Sequence, residues 1–175
     1  FWHASGSWPR SISTAKAGCP MPIVILPGLD GTDLLLGRFV ELAPAQCVVT
    51  VLPLPDNSAD DYDSLTRSVS DRIRGLGPCH LIAESFSGPL AIRIAARQPE
   101  LVERLTLVAS FATSPAPGWA HWLPWSWLFR LPLPYTVAKC LFVGNDHDMA
   151  TRLRNAVRQT SAATLAKRVR CILEV

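Results

Sequence analysis

The first twenty residues hold no apolar run long enough for a secretory signal, so Phe1 to Pro20 read as a flexible extension or a fragment end. The apolar stretch after Ser110 is broken by prolines, Arg130 and Lys139, which argues against a transmembrane helix. There is no C-x-x-C pair to suggest zinc or redox chemistry. The five cysteines (Cys19, Cys47, Cys79, Cys140 and Cys171) are irregularly spaced, and their odd number argues against a complete disulfide framework. Reduced thiols in a cytoplasmic protein are expected. Charge of one sign is also scarce, at a net +3. Basic residues are scattered until Arg152 to Arg170, and that group reads as a solvated helix face, so no nucleic-acid partner is expected. The 175 residues are 49% apolar and 18% charged, enough for one domain with a substantial core.

The informative segment is Leu81-Ile82-Ala83-Glu84-Ser85-Phe86-Ser87-Gly88. It places a serine between an apolar strand and a helix, with Ala83, Ser87 and Gly88 at the positions where a nucleophile elbow needs small residues. Those residues are small because the serine sits on a strained turn, where a larger neighbour would collide with the adjacent strand or helix. The turn exposes the hydroxyl, and the helix behind it aims N–H groups at any oxyanion that forms. Both outer glycines of the usual motif are replaced, so an ordinary strand-to-helix turn is the alternative. Ser87 as nucleophile would put Pro89 where a small residue belongs, which leaves Ser85 as the candidate.

Upstream, Met21 to Leu26 reads as a buried strand followed by the glycine-rich turn Pro27-Gly28-Leu29-Asp30-Gly31-Thr32. Acyl transfer needs two N–H donors on its oxyanion, one from the residue after the nucleophile and one from a loop after an earlier strand. Here those are Phe86 and Leu29. P-G and D-G dipeptides mark turns in any protein. The two motifs together are more specific than either one.

On these motifs the chain resembles the N-terminal half of an α/β-hydrolase, over roughly residues 21 to 175. Leu-Pro-Gly-x-Asp-Gly-Thr with Glu-Ser-Phe-x-Gly is also similar to a bacterial hydrolase subgroup and to plant esterase/acyltransferases acting on phytyl and diacylglycerol esters. The resemblance implies an α/β fold, a doubly wound and mostly parallel sheet, incomplete at the C-terminus and carrying the start of a helical cap. It divides the chain into an extension (1–20), a core (21–110) and a cap or lid region (111–175). It makes Ser85 the catalytic residue and Leu29 and Phe86 the oxyanion donors, with Gly28, Asp30, Trp119 and Trp122 against the substrate. The implied substrate is a hydrophobic ester or acyl compound; no cofactor and no metal are expected, and the oligomeric state stays open.

The elements alternate as a parallel α/β sheet requires. Strands are expected at Ile23 to Leu26, Cys47 to Leu52, Cys79 to Ala83 and Arg104 to Ala109. Helices are expected at Leu34 to Leu42, with Leu35, Phe39 and Leu42 on one face, and around Tyr62, Leu65, Val69 and Ile73 behind an Asp60 or Asp61 cap. Another runs from Pro89 to Arg97. By the resemblance, Trp119 to Tyr135 begin the cap. Their tryptophans either shape an acyl pocket, pack the cap onto the core, or meet a membrane surface. Leu153, Val157, Leu165, Val169 and Ile172 mark one amphipathic helix, or two broken near Ser161.

A serine nucleophile needs a base, and in this fold the acid and then the histidine follow the serine. His3 and His80 precede Ser85, His121 lies in the Trp-rich stretch, and His147 sits between two aspartates in what reads as a solvated turn. Cys140 to Asp148 read as a strand ending in an acid loop is the alternative, but no histidine follows it. The expectation is a chain that stops before its acid and base, with Ser85 unactivated. The expected function is a serine hydrolase of carboxylic esters working through an acyl-enzyme. An acyltransferase of the same mechanism and a non-catalytic binding module are the alternatives.

Overall fold

The computed structural model describes residues 21–131 and 147–175. The 1–20 extension, the last residues of the Trp119 to Tyr135 cap start (132–135) and most of the Cys140 to Asp148 alternative lie outside the described residues. His147 and Asp148, the last members of that alternative, open a helix.

The order is β1 (Ile23–Leu26), α1 (Gly37–Glu41), β2 (Val49–Val51), α2 (Tyr62–Arg74), β3 (Cys79–Glu84), α3 (Ser87–Arg97) and β4 (Val102–Val108). A 3-10 turn (Gly118–Trp122), α4 (Trp125–Leu128), α5 (His147–Gln159) and α6 (Ala162–Leu173) follow. All strand pairs are parallel, in the order β2-β1-β3-β4, with Leu26 beside Ala83 and Ala83 beside Leu107. The chain steps outward from β1 to β2, then returns past β1 to build β3 and β4. The point of reversal lies between β1 and β3, and ligands of doubly wound sheets bind at such a point, beyond the carboxyl ends of the strands.

Strand pleating sends alternate residues to opposite faces. Val24 and Leu26 of β1 and Leu81 and Ala83 of β3 are buried in one cluster with Tyr62, Leu65, Val69 and Ile73 of α2 and Leu90, Ala91 and Ile94 of α3. Cys171 of α6 joins the same cluster. On the other face of β3, His80, Ile82 and Glu84 are half-buried. α2 starts where Asp61 accepts from the Ser64 N–H while the Ser64 hydroxyl accepts from the Asp61 N–H, a reciprocal cap that satisfies two orphan donors. α3 begins two residues earlier than the proline suggested. Its Gly88 lies so close to the segment after β4 that a Cβ there would overlap Ser110 Oγ and stand 2.7 Å from Ser110 Cβ.

Two expectations change. The first helix is only five residues long and buries none of them; Phe39 and Leu42 face solvent because, among the described residues, no element packs on the face they form. The basic group Arg152 to Arg170 is not one solvated face, since Arg168 is 2% exposed. The break near Ser161 is present, with Ser161 capping α6 by accepting from the Thr164 N–H. Cys47, Cys79 and Cys171 are free thiols, and burial pushes Cys79 up to about 11. Among the described residues no helix is long and apolar enough to cross a membrane.

Candidate active site

The carboxyl ends of β1 and β3 carry the two loops singled out in the sequence. Ser85 joins β3 to α3 with φ 47, a left-handed conformation that costs a non-glycine residue on the order of 1 kcal/mol and is held only by its surroundings. Those surroundings are visible. The Ser85 N–H donates to the Val108 carbonyl at 2.9 Å, and the Ser85 carbonyl accepts from Ser110 Oγ at 2.6 Å and from the Gly88 N–H at 3.1 Å. Ser85 is half-buried. Its hydroxyl has no hydrogen-bond partner among the described residues.

The β1 loop is tied to the elbow and to the last helix. Ser87, whose small size answered the motif, also donates its hydroxyl to the Pro27 carbonyl, joining the two loops directly. The Gly28 carbonyl accepts from the Gly31 N–H at 3.0 Å, closing a tight turn in which Gly31 takes φ 71. Asp30 is buried; one oxygen of its carboxylate takes both the N–H and the hydroxyl of Thr32, and its carbonyl accepts from Thr160 Oγ1 at 2.6 Å. Arg168 of α6 donates to the Leu29 carbonyl at 2.8 Å and to the Pro55 carbonyl at 2.9 Å. A Cβ on Gly31 would collide with that guanidinium.

Phe86 is fully buried and stacks on Tyr62, with centroids 5.0 Å apart. Arg168 sits over the Phe86 ring at 5.8 Å and Arg93 over the Tyr62 ring at 5.3 Å, so a guanidinium covers each aromatic. The Tyr62 hydroxyl donates to the Phe86 carbonyl at 2.9 Å, and burial raises its pKa well above the ordinary 10.0.

Gly28, Leu29, Asp30, Ser85 and Phe86 therefore lie on two loops fastened to each other. The N–H groups of Leu29 and Phe86 donate to no protein acceptor among the described residues. Each belongs to a trans peptide whose carbonyl is already held, Gly28 by Gly31 and Ser85 by Ser110 and Gly88. Carbonyl and N–H of a trans peptide point in opposite directions, so pinning one aims the other.

Trp119 and Trp122 are not brought to these loops. The 3-10 turn packs against α6 and buries Ala120, which turns the two indoles outward, 65% and 88% exposed. His80 lies five residues before Ser85, about 16 Å down the strand at the usual rise, and its Nε2 meets Thr106 Oγ1 at 2.8 Å. His121 is exposed on the 3-10 turn, and no histidine hydrogen-bonds Ser85 among the described residues.

Several participants had no signal in the motifs themselves. Arg168 falls between Leu165 and Ile172 on the apolar stripe of its helix, and a charge in that place is the trace it leaves in the sequence. Glu84 is another. Its carboxyl group stands 3.6 Å from where a Gly28 Cβ would be, and burial lifts its pKa above 4.5, with the charge of Asp30 adding and the Gly28 backbone opposing. Among the described residues, no group of three His, Cys, Asp or Glu side chains is placed to hold a metal.

No family model matches the chain. In sequence it is similar to phytyl ester synthase 1, chloroplastic, of Arabidopsis thaliana, at 31% identity over 125 residues, covering 64% of this chain and 18% of that protein. In structure it is similar to a carboxylesterase of the thaumarchaeon Nitrososphaera gargenis, with TM-score 0.73 and 16% identity over 87% of this chain and 64% of the other. The enol-lactonase of Burkholderia xenovorans LB400 gives TM-score 0.72 and 15% identity, covering 91% and 67%. An extracellular alpha/beta-hydrolase of a Paenibacillus species gives 0.58 and 17%, covering 79% and 66%. The strand order, the elbow at the end of β3 and these likenesses agree: the chain has the α/β-hydrolase fold.

Proposed function

We propose that this chain carries the nucleophile and oxyanion site of a serine hydrolase acting on carboxylic esters. Ser85 Oγ attacks the acyl carbonyl carbon and forms a C–O bond. The carbonyl oxygen becomes an oxyanion held by the Leu29 and Phe86 N–H groups. Collapse of the adduct breaks the bond to the alcohol, which leaves with the proton taken from Ser85, and water then releases the acid. The observation that carries this reading is the pair of unused N–H groups beside a serine strained to φ 47. One such donor is worth about 10² to 10³ in turnover. The reading needs a general base on Ser85 Oγ, a role that neither His80 nor His121 fills.

The test is labelling with a fluorophosphonate probe, alone and in the Ser85→Ala variant. Rapid labelling that vanishes in Ser85→Ala supports the hydrolase; labelling at another residue, or none in the whole protein, supports a non-catalytic binding module. Similarity to a phytyl ester synthase favours a second reading, in which a long-chain alcohol replaces water as acyl acceptor. Adding such an alcohol to an acyl ester and measuring new ester against free acid separates transfer from hydrolysis.

A further inference from the structure

Thr160 holds the Asp30 carbonyl on one side and helps to wall a cavity of about 390 Å³ on the other. Arg130, Arg154 and Arg158 line that cavity with Phe129 and Ser161, and among the described residues no carboxylate does. Among the described residues none of these arginines pairs with an acid, whereas Arg152 on the same helix meets Asp148 at 2.9 Å, and Arg74, Arg93 and Arg97 are paired as well. Arg154 and Arg158 are four residues apart on α5, a spacing at which like charges repel. Arg158, in the last turn, complements the helix C-terminus, but Arg154 is a turn too early for that compensation. Asp56 lies nearby but is engaged by the Ser161 hydroxyl at 3.0 Å and the Ser161 N–H at 3.2 Å; the Thr164 hydroxyl and these Ser161 contacts hold its pKa below the ordinary value. Among the described residues none of the three guanidiniums has a carboxylate partner, the nearby Asp56 being held on Ser161, and planar forks of N–H donors suit a phosphate group. The volume exceeds that of a bare ion and falls in the range of small-molecule pockets, with Phe129 as an apolar wall for an organic part.

We propose that this cavity binds the phosphate or diphosphate group of an organic phosphate ester. In the ester-hydrolase reading, on which this step rests, the occupant is the charged end of an acyl substrate whose carbonyl reaches Ser85 past Thr160. The binding itself is measured without reference to catalysis. In calorimetry with inorganic pyrophosphate, the chain and its Ser85→Ala variant bind alike. Arg154→Gln or Arg158→Gln weakens binding about 10-fold, and both together about 100-fold. Arg152→Gln, outside the cavity, leaves binding unchanged. The glutamine variants stay folded, because the arginines they replace make no ion pair among the described residues and Arg158 gives up only a helix-end charge interaction. Arg154→Lys, which keeps the charge, recovers part of the affinity. An acylglycerol phosphate that protects Ser85 from the fluorophosphonate, with protection lost in the double variant, assigns the phosphate to the substrate. Pyrophosphate binding without such protection assigns a free phosphate ligand to the same site. No pyrophosphate binding at millimolar concentration, or binding that survives the double variant, overturns the proposal. Absence of fluorophosphonate labelling bears on the hydrolase reading alone.

Discussion

The two candidate oxyanion donors are aimed from behind, by groups that never meet a substrate. Ser110 Oγ, 2.6 Å from the Ser85 carbonyl, fixes the peptide whose other end is the Phe86 N–H. Ser110→Ala removes that bond and leaves the weaker one from Gly88 at 3.1 Å. Labelling of Ser85 by a fluorophosphonate should slow about 10-fold, while stability falls by only about 1 kcal/mol. An unchanged labelling rate would show that the peptide is held without Ser110. Glu84 makes a pH-dependent case beside the same loop. Its folded pKa is raised, by burial first and by Asp30 second, so the folded protein holds this proton more tightly than the unfolded chain. Stability tied to Glu84 is therefore greatest below its unfolded value of about 4.5 and is lost as pH rises through the higher folded value. Glu84→Gln removes the cost of ionising there. Urea midpoints should show the variant gaining on the native protein from pH 4 to pH 7; a difference constant with pH would sink the argument.

At the scale of elements, legibility in the sequence followed the presence of a partner. β1, β3 and α2 were readable because Val24, Leu81, Tyr62, Leu65, Val69 and Ile73 repeat at periods of two or near 3.6 and all of them find the same cluster. Leu35, Phe39 and Leu42 show the helical period too, yet α1 is one short turn with an exposed face. Periodicity reports which residues share a face and is silent on what lies opposite. The motif loops were legible through their glycines and small residues, but the side chains that clamp them were not. Arg168 lies 139 residues from the Leu29 carbonyl that it holds, and only folding connects the two. Arg168→Met keeps most of the volume and abolishes both donors, leaving the Leu29 and Pro55 carbonyls without a partner. Two such losses amount to roughly 2 to 4 kcal/mol. Chemical denaturation should show that loss, and Ser85 labelling should fall further than in Arg170→Met, an exposed change on the same helix. Equal behaviour of the two variants would remove Arg168 from the site.

Across the whole molecule the sheet is unevenly covered, and its two ends have different consequences. The point of reversal between β1 and β3 is buried on the face that α2 and α3 share, which gives the site its rigid base. β4 pairs with β3 alone among the described residues, and Leu105, Leu107 and Val108 are exposed along it. A parallel strand with apolar side chains in water and an unpaired row of backbone groups is a template for a second chain. The chain of residues 1–175 should therefore self-associate, with a sedimentation coefficient that rises with concentration in the micromolar range. Leu107→Lys places a charge on that strand at a position already exposed, so its own cost in stability should stay within about 0.5 kcal/mol. The variant should sediment as a smaller species at the same concentration. Ser85 labelling should be unaffected, because β4 holds the elbow through the Val108 carbonyl and Ser110 follows it in the chain, neither involving the Leu107 side chain. A native chain that stays monomeric at every concentration would show that the exposed strand is not the site of association.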